Sequence, residues 1–188
     1  MTFFNLKVVL KEEVKMEITF RQINMDDDFE LCVASRKDAY FCSFGHYGGF
    51  EDFISGYRER VLERLSTSGW FYIHIFVDGE FAGQLEFRSF SPEPDTGYVH
   101  LIYLKPNFRG LGLAPKVQDY IVRTLSQAGC LRAVLSVSRT NTRALAFYKR
   151  NGWEFARRNP KHDETDFYQL WIGDTGYVES GSNGLSGA

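Results

Sequence analysis

A glycine-containing joint between a predicted strand and a predicted helix constrains the fold of this chain more than any other feature. The segment NFRGLGLAPK, residues 107–116, follows an apolar stretch at 98–104 and precedes apolar side chains at helical spacing, Val117, Ile121 and Leu125. The first N–H groups of a helix lack partners within the helix, and the peptide dipoles make that end partly positive. Because glycine allows close approach of a ligand to the backbone, the joint predicts either a phosphate or pyrophosphate site or an ordinary tight turn.

Short strands and helical stripes alternate along the rest of the chain. Asp78-Gly79 predicts a tight hairpin between an apolar strand at 70–77 and an alternating strand at 81–90. Helical spacing before the hairpin predicts one helix over 29–40 and a second over 53–65. The later elements are predicted as strands at 98–104, 132–138, 153–157 and 167–172 and helices at 112–128 and 141–151. Hairpins followed by strand–helix–strand units predict an α/β fold with a mixed, mostly antiparallel central sheet.

The length and composition fit one domain with an extension at each end. The 188 residues are 44% hydrophobic and 16% aromatic, which is enough apolar material for a sizeable core. A predicted strand begins directly after Met16, so we expect a domain over 16–173 and an N-terminal extension over 1–15. The Gly- and Ser-rich residues 174–188 are expected to form a flexible tail.

Charge and residue spacing argue against several function classes. The net charge of −2 predicts no attraction to nucleic acid or to an anionic membrane. Cys32, Cys42 and Cys130 show neither a disulfide framework nor zinc-site spacing, and the histidines show no metal spacing, so we expect no metal. No run of 18 apolar residues and no signal peptide is present, and a cytoplasmic location is the expectation.

Three phosphate-binding patterns compete for the joint. The nucleotide P-loop is excluded because the chain has no Gly-Lys pair, and the dinucleotide pattern has Pro115 in place of its third glycine. The third pattern, Arg/Gln-x-x-Gly-x-Gly/Ala, is matched by Arg109, Gly112 and Ala114. A second motif follows in NTRALAFYKRNGWEF, residues 141–155. Together the two motifs resemble those of the GNAT superfamily of acetyl-CoA-dependent N-acetyltransferases.

The resemblance implies a GNAT fold, with helices on both faces of the sheet and a cofactor cleft between the central strands. It implies acetyl-CoA as the cofactor, with the pantetheine arm paired along Ile102, Tyr103 and Leu104. Asn141 would hold the cofactor from the second motif, cap its own helix, or do both. The pyrophosphate would be bound by the loop residues Arg109, Gly110, Leu111, Gly112, Leu113, Ala114 and Pro115, the last of which has no N–H to donate.

The same resemblance implies direct acetyl transfer within a ternary complex. Tyr148 holds the family's position for the general acid that protonates the leaving thiolate, although a tyrosine that only packs in the core is the alternative. Glu86, on the polar face of its strand, is slightly preferred as the general base over His100, which normally titrates near neutrality. The alternatives are an ion pair of Glu86 with Arg88 or another arginine, and a packed, hydrogen-bonded His100. A third alternative is that the amine arrives neutral and needs no base.

The acceptor site is expected in the first half of the chain. Arg36, Tyr40 and Phe44 would form its roof, and Gln84, Glu86 and Arg88 its floor. An acidic floor suits a cationic amine, whereas Arg88 suits a carboxylate. The preferred function is N-acetylation of a small-molecule amine. The alternatives are acetylation of a protein N-terminus or lysine and a non-catalytic acyl-CoA sensor, and a homodimer is left open.

Overall fold

Residues 16–173 are described by the computed structural model and form a seven-stranded sheet in the order β1-β2-β3-β4-β5-β7-β6. The strands are β1 (Ile18–Gln22), β2 (Trp70–Val77), β3 (Glu80–Arg88), β4 (Thr96–Leu104), β5 (Arg132–Ser138), β6 (Glu154–Arg158) and β7 (Thr165–Trp171). The α-helices are α1 (Phe29–Phe44), α2 (Phe50–Ile54), α3 (Tyr57–Leu65), α4 (Leu113–Gln127) and α5 (Thr142–Arg150). The extensions predicted at 1–15 and 174–188 lie outside the described residues.

The strand pairing confirms the mixed, mostly antiparallel sheet. Strands β1 to β4 pair antiparallel in chain order, and β7 pairs antiparallel with both β5 and β6. Within residues 16–173 the single parallel pair is β4 with β5, which α4 connects as a crossover helix.

Helices cover both faces of the sheet. The apolar stripe of α4, including Val117 and Leu125, packs with Leu85 and Phe87 of β3 in the main core. Successive strand residues point to opposite faces, and Tyr72 accordingly packs in a second cluster with residues of α1 and α3. The helices on the two faces therefore fix the sheet between them.

The single helix predicted over 53–65 is wrong. The chain forms two short helices there, α2 and α3, because Ser55 is extended and Gly56 has a positive φ of 63°. Glycine adopts that conformation at little cost, so the break turns the chain before Tyr57. Within residues 16–173, no helix has both the length and the apolar character needed to cross a membrane.

Candidate active site

The sheet opens between its two central strands. The parallel pairing of β4 with β5 covers only Thr96–Val99 against Arg132–Leu135. Strand β4 continues to Leu104, and among the described residues none of its later positions pairs with β5. The residues at 100–104 therefore present a strand edge to which an extended ligand can bind as an added strand.

A β-bulge lies where this opening starts. Phe87 pairs with Val99, and Glu86 pairs with Leu101, which leaves His100 as an extra residue without a partner on β3. A bulge bends the strand that contains it and increases the local twist. The bulge at His100 thus gives a physical reason why β4 diverges from β5 immediately after Val99.

A loop ending at an uncapped helix N-terminus follows the free edge of β4. Gly110 and Gly112 have positive φ values of 77° and 74°, and Gly112 precedes α4 without any side chain capping the helix. A Cβ atom built on either glycine would meet no atom within 4 Å. The space above the loop is therefore open, and the N–H groups of the first helical turn can bind an anion. Pro115, in the same turn, supplies no N–H.

Arg109 lies in a different setting from the one expected for a pyrophosphate ligand. Its Nε atom donates to the carbonyl oxygen of Leu104 at 2.6 Å, and its Nη2 atom donates to Asp38 of α1 at 2.6 Å. The guanidinium is therefore held by the protein, and its charge is partly balanced by a carboxylate. Arg109 thus links the loop before α4 to helix α1 through its ion pair with Asp38.

Ile102, Tyr103 and Leu104 lie on the free part of β4, as the pantetheine assignment requires. Their other edge pairs with β3, where Tyr103 is opposite Gln84. Burial, with the neighbouring Asp38 carboxylate, raises the pKa of Tyr103, so its hydroxyl stays protonated.

The second motif forms α5. The Asn141 side chain caps this helix by accepting a hydrogen bond from the Ala144 N–H at 3.1 Å. Tyr148 is half-buried, with its ring centroid 5.5 Å from that of Trp153. Burial raises the pKa of Tyr148, and its hydroxyl has no hydrogen-bond partner among the described residues. The hydroxyl is thus protonated at any working pH and unengaged.

Glu86 is bound by too many donors for the role of a base. The carboxylate is fully buried, and Arg36 contacts both of its oxygens. The Tyr57 hydroxyl donates to it at 2.8 Å, and Gln84 Nε2 donates at 2.7 Å. Three of these donors bind Oε1, and Oε2 accepts from Arg36 alone. Because the carboxylate is paired with a cation and fully buried, this arrangement favours a structural ion pair over the proton acceptor expected from sequence.

His100 does not titrate near neutrality as expected. Burial lowers its pKa to about 3, with further lowering by nearby cations, chiefly Arg88. Its ring lies 5.2 Å from that of Trp70 and 4.6 Å from that of Tyr98, and its Nε2 atom is buried without a partner. A neutral imidazole with so low a pKa is a weak base.

The residues expected to contact the acceptor separate into three groups. Arg36, expected in the roof, and Gln84, expected in the floor, both belong to the buried network of Glu86. Tyr40 and Phe44 pack together, with ring centroids 4.8 Å apart, at the C-terminal end of α1. Arg88, also expected in the floor, lines a cavity.

This cavity has a volume of about 420 Å³ and lies beside the bulge, on the sheet face that α4 does not cover. One wall comes from the segment ARRNPKHDE, residues 156–164, whose basic-then-acidic sequence is typical of a solvated loop. Asn159 organises that wall by donating to Thr165 Oγ1 at 2.9 Å and accepting from the Lys161 N–H at 3.0 Å. The cavity is lined by Arg88, Ser91, Pro92, Glu93, Tyr98, His100, Val134, Arg157, Asn159, Pro160, Lys161 and Phe167.

Comparison with known proteins connects this geometry to a family. The model for the Acetyltransferase (GNAT) family matches residues 30–153, which is more than half of the chain. No curated protein sequence matches the chain.

Several solved structures share the fold. PaiA N-acetyltransferase from Thermoplasma acidophilum, in complex with coenzyme A, is 17% identical with a TM-score of 0.66, over 82% of this chain and 99% of that one. Spermidine N-acetyltransferase from Vibrio cholerae, in complex with CoA and spermine, is 10% identical with a TM-score of 0.62, over 82% of this chain and 95% of that one. The ribosomal-protein-S18-alanine N-acetyltransferase from Escherichia coli is 16% identical with a TM-score of 0.57, over 90% of this chain and 100% of that one.

Proposed function

Because the chain belongs to the GNAT acetyltransferase family and is an acetyl-CoA-dependent acyltransferase, we propose that it acetylates the primary amine of a small molecule. The observation that carries the proposal is the divergence of β4 from β5 after Val99, beside an uncapped helix N-terminus. These two features supply what acetyl-CoA needs, namely a strand edge for its arm and N–H donors for its pyrophosphate.

The proposed position of the cofactor follows from these features. The pyrophosphate binds at the loop from Gly110 to Ala114, and the pantetheine arm runs back along β4 from Leu104 toward His100. At about 3.3 Å per residue, that stretch of strand is roughly 13 Å long, so the thioester reaches the region of the bulge. Asn141 keeps its capping hydrogen bond and leaves its amide nitrogen available to the arm.

The proposed chemistry is direct attack of the amine on the thioester carbonyl. The new C–N bond forms as the C–S bond breaks, and the excess proton on nitrogen passes to water. The Tyr148 hydroxyl gives its proton to the departing thiolate and regains one from water. No side chain acts as the base, because the Glu86 carboxylate is buried and ion-paired with Arg36 and His100 is held neutral. The enzyme thus works mainly by positioning a neutral amine.

The cavity beside the bulge supports a small acceptor. Its volume of about 420 Å³ falls within the range usual for small-molecule sites, and it lies between the sheet and the β6–β7 loop. The names of two proteins with a similar fold indicate a small-molecule acceptor and a protein acceptor. One is a spermidine N-acetyltransferase, and the other is a ribosomal-protein-S18-alanine N-acetyltransferase. A cavity of this size favours the small molecule.

The test measures CoA release from acetyl-CoA with a panel of small primary amines, in the wild type and in Tyr148→Phe. We expect release with at least one amine, a kcat lowered by roughly 10²- to 10⁴-fold in Tyr148→Phe, and an unchanged Kd for acetyl-CoA. Tyr168→Phe, a half-buried tyrosine whose ring packs on Phe155, is the matched control and should retain activity. Tight binding of acetyl-CoA without release of CoA for any amine would favour a non-catalytic sensor. Full activity in Tyr148→Phe would show that Tyr148 only packs in the core.

A further inference from the structure

The cavity beside the bulge is lined by an excess of positive charge. Arg88, Arg157 and Lys161 contribute cations, whereas Glu93 is the one carboxylate among the lining residues. Both oxygens of Glu93 are already engaged, one by Arg132 and the other by Arg157 at 3.3 Å. The cavity therefore has positive charge that no carboxylate of the described residues neutralises.

Arg88 is the cation that most needs a partner. Its guanidinium carbon lies 5.2 Å from the ring centroid of Trp70, 5.1 Å from that of Phe90 and 5.5 Å from that of Tyr98. Among residues 16–173, none accepts a hydrogen bond from it, and its Nε atom is buried without a partner. Of the five N–H donors of this guanidinium, the one on Nε is buried without a partner, and leaving a buried donor unsatisfied costs free energy. An anion bound at this position would remove that cost.

A second unsatisfied atom, His100 Nε2, lies in the same wall of the cavity. His100 is the bulge residue, so this atom lies next to the place where the thioester is proposed to end. A neutral imidazole nitrogen can accept a hydrogen bond from an amine N–H or donate one to a carboxylate. Tyr98, Val134 and Phe167 complete the wall with apolar surface.

We propose that this cavity binds an acceptor carrying a carboxylate, and that Arg88 is the residue that selects for it. The acceptor class is amino acids and other small primary amines with a carboxylate a few bonds away. This inference rests on the proposed function and names the substrate class of the same site. Arg88 suits a carboxylate because its planar fork of N–H donors can bind both carboxylate oxygens. A polyamine, which carries several positive charges, would be repelled by the same lining.

The experiment compares the twenty L-amino acids, their α-amides and spermidine in two measurements. The first is kcat/KM for acetylation, and the second is calorimetric binding to the protein loaded with CoA. The structure predicts that at least one free amino acid is preferred over its amide and over spermidine. In Arg88→Gln that preference falls roughly 10- to 100-fold, because a charge-assisted hydrogen bond is lost, while acetyl-CoA affinity is unchanged. In Arg88→Lys, which keeps the charge but loses the planar fork of N–H donors, the preference for the free amino acid lies between those of the wild type and Arg88→Gln.

Arg64→Gln is the matched control. Arg64 also lies over the Trp70 ring, with its guanidinium carbon 4.4 Å from the centroid, but it donates to the Tyr72 hydroxyl and does not line the cavity. It should leave the preference for free amino acids unchanged.

The outcomes separate this inference from the proposed function. The carboxylate site is overturned if amides or spermidine are acetylated as efficiently as free amino acids, or if the preference for free amino acids survives in Arg88→Gln. Either result leaves the proposed acetyltransferase activity intact. A different result is that an amino acid binds more tightly than its amide, that this difference depends on Arg88, and that no acetyl transfer occurs. This result supports the carboxylate site and contradicts the proposed function. The absence of both binding and transfer overturns both.

Discussion

His100 sits in the bulge of β4 with its ring between those of Trp70 and Tyr98. Burial and the positive charges of Arg88, Arg36 and Arg64 all oppose its protonation, so its pKa falls to about 3. The same imidazole in an unfolded chain has a pKa of about 6.5. The folded state therefore excludes a proton that the unfolded state binds.

This difference predicts how stability depends on pH. Between pH 6.5 and about pH 3 the unfolded state binds more protons at this position, so the free energy of unfolding falls as the pH is lowered. We expect the wild type to lose roughly 1 kcal/mol per pH unit more than His100→Gln in that window. Urea unfolding of both proteins at pH 7, 6 and 5 measures the difference, and the lowered pKa of His74, present in both proteins, cancels. Parallel pH dependences would contradict a neutral His100.

At the scale of elements, α1 is fastened to the sheet by ion pairs. Arg36 binds Glu86 of β3, Asp38 binds Arg109 after β4, and Asp28, which precedes the helix, binds Arg21 of β1. The Arg36–Glu86 pair is the most buried of the three, with a fully buried carboxylate. Removing one partner of a buried pair leaves an uncompensated charge.

Glu86→Gln is therefore expected to lower stability. The side chain keeps its size, but Arg36 loses its counter-charge, at a cost of roughly 3 kcal/mol. Asp26→Asn is the control, because Asp26 pairs with Arg58 at 2.8 Å in an exposed position and such pairs contribute about 1 kcal/mol or less. Thermal melting measures both variants. If Glu86→Gln melts like the wild type while its activity falls and the low-pH limb of its rate profile moves, Glu86 is a base after all.

At the scale of elements, the sequence predicts features that depend on neighbouring residues better than contacts between distant ones. The joint at Gly112 and the capping residue Asn141 act on neighbouring residues, so their roles follow from local spacing. The Arg36–Glu86 pair joins residues 50 positions apart. The sequence places Arg36 and Glu86 on opposite sides of one site, but it does not indicate that their side chains meet and fill the space between them. The break at Gly56 was missed because the apolar spacing continues through it.

Across the whole molecule, the order of strands and helices was predictable because alternation and the hairpin at Asp78-Gly79 determine which elements can be neighbours. The cavity was not predictable, since its walls come from β3, β4, β5, β6 and β7. Residues of the β6–β7 loop that look solvated along the chain become a wall only after β7 inserts between β5 and β6.

Cofactor binding at the joint between β4 and α4 is the central claim for the whole molecule, and two glycines at the ends of one helix test it. Gly112 before α4 and Gly129 after it both have positive φ, 74° and 84°, and a Cβ atom at either would meet nothing within 4 Å. Aspartate at either position therefore brings similar backbone strain and no clash. Only at Gly112 does it bring a carboxylate into the proposed anion site.

The measurement is the shift in melting temperature caused by acetyl-CoA in the wild type, Gly112→Asp and Gly129→Asp. Ligand at about 100 times its Kd stabilises a protein by about 2.7 kcal/mol, a shift of roughly 5–10 °C for a domain of this size. We predict that shift in the wild type and in Gly129→Asp, and none in Gly112→Asp, whose carboxylate repels the pyrophosphate and occupies its donors. A full shift in Gly112→Asp would contradict the assignment of this loop.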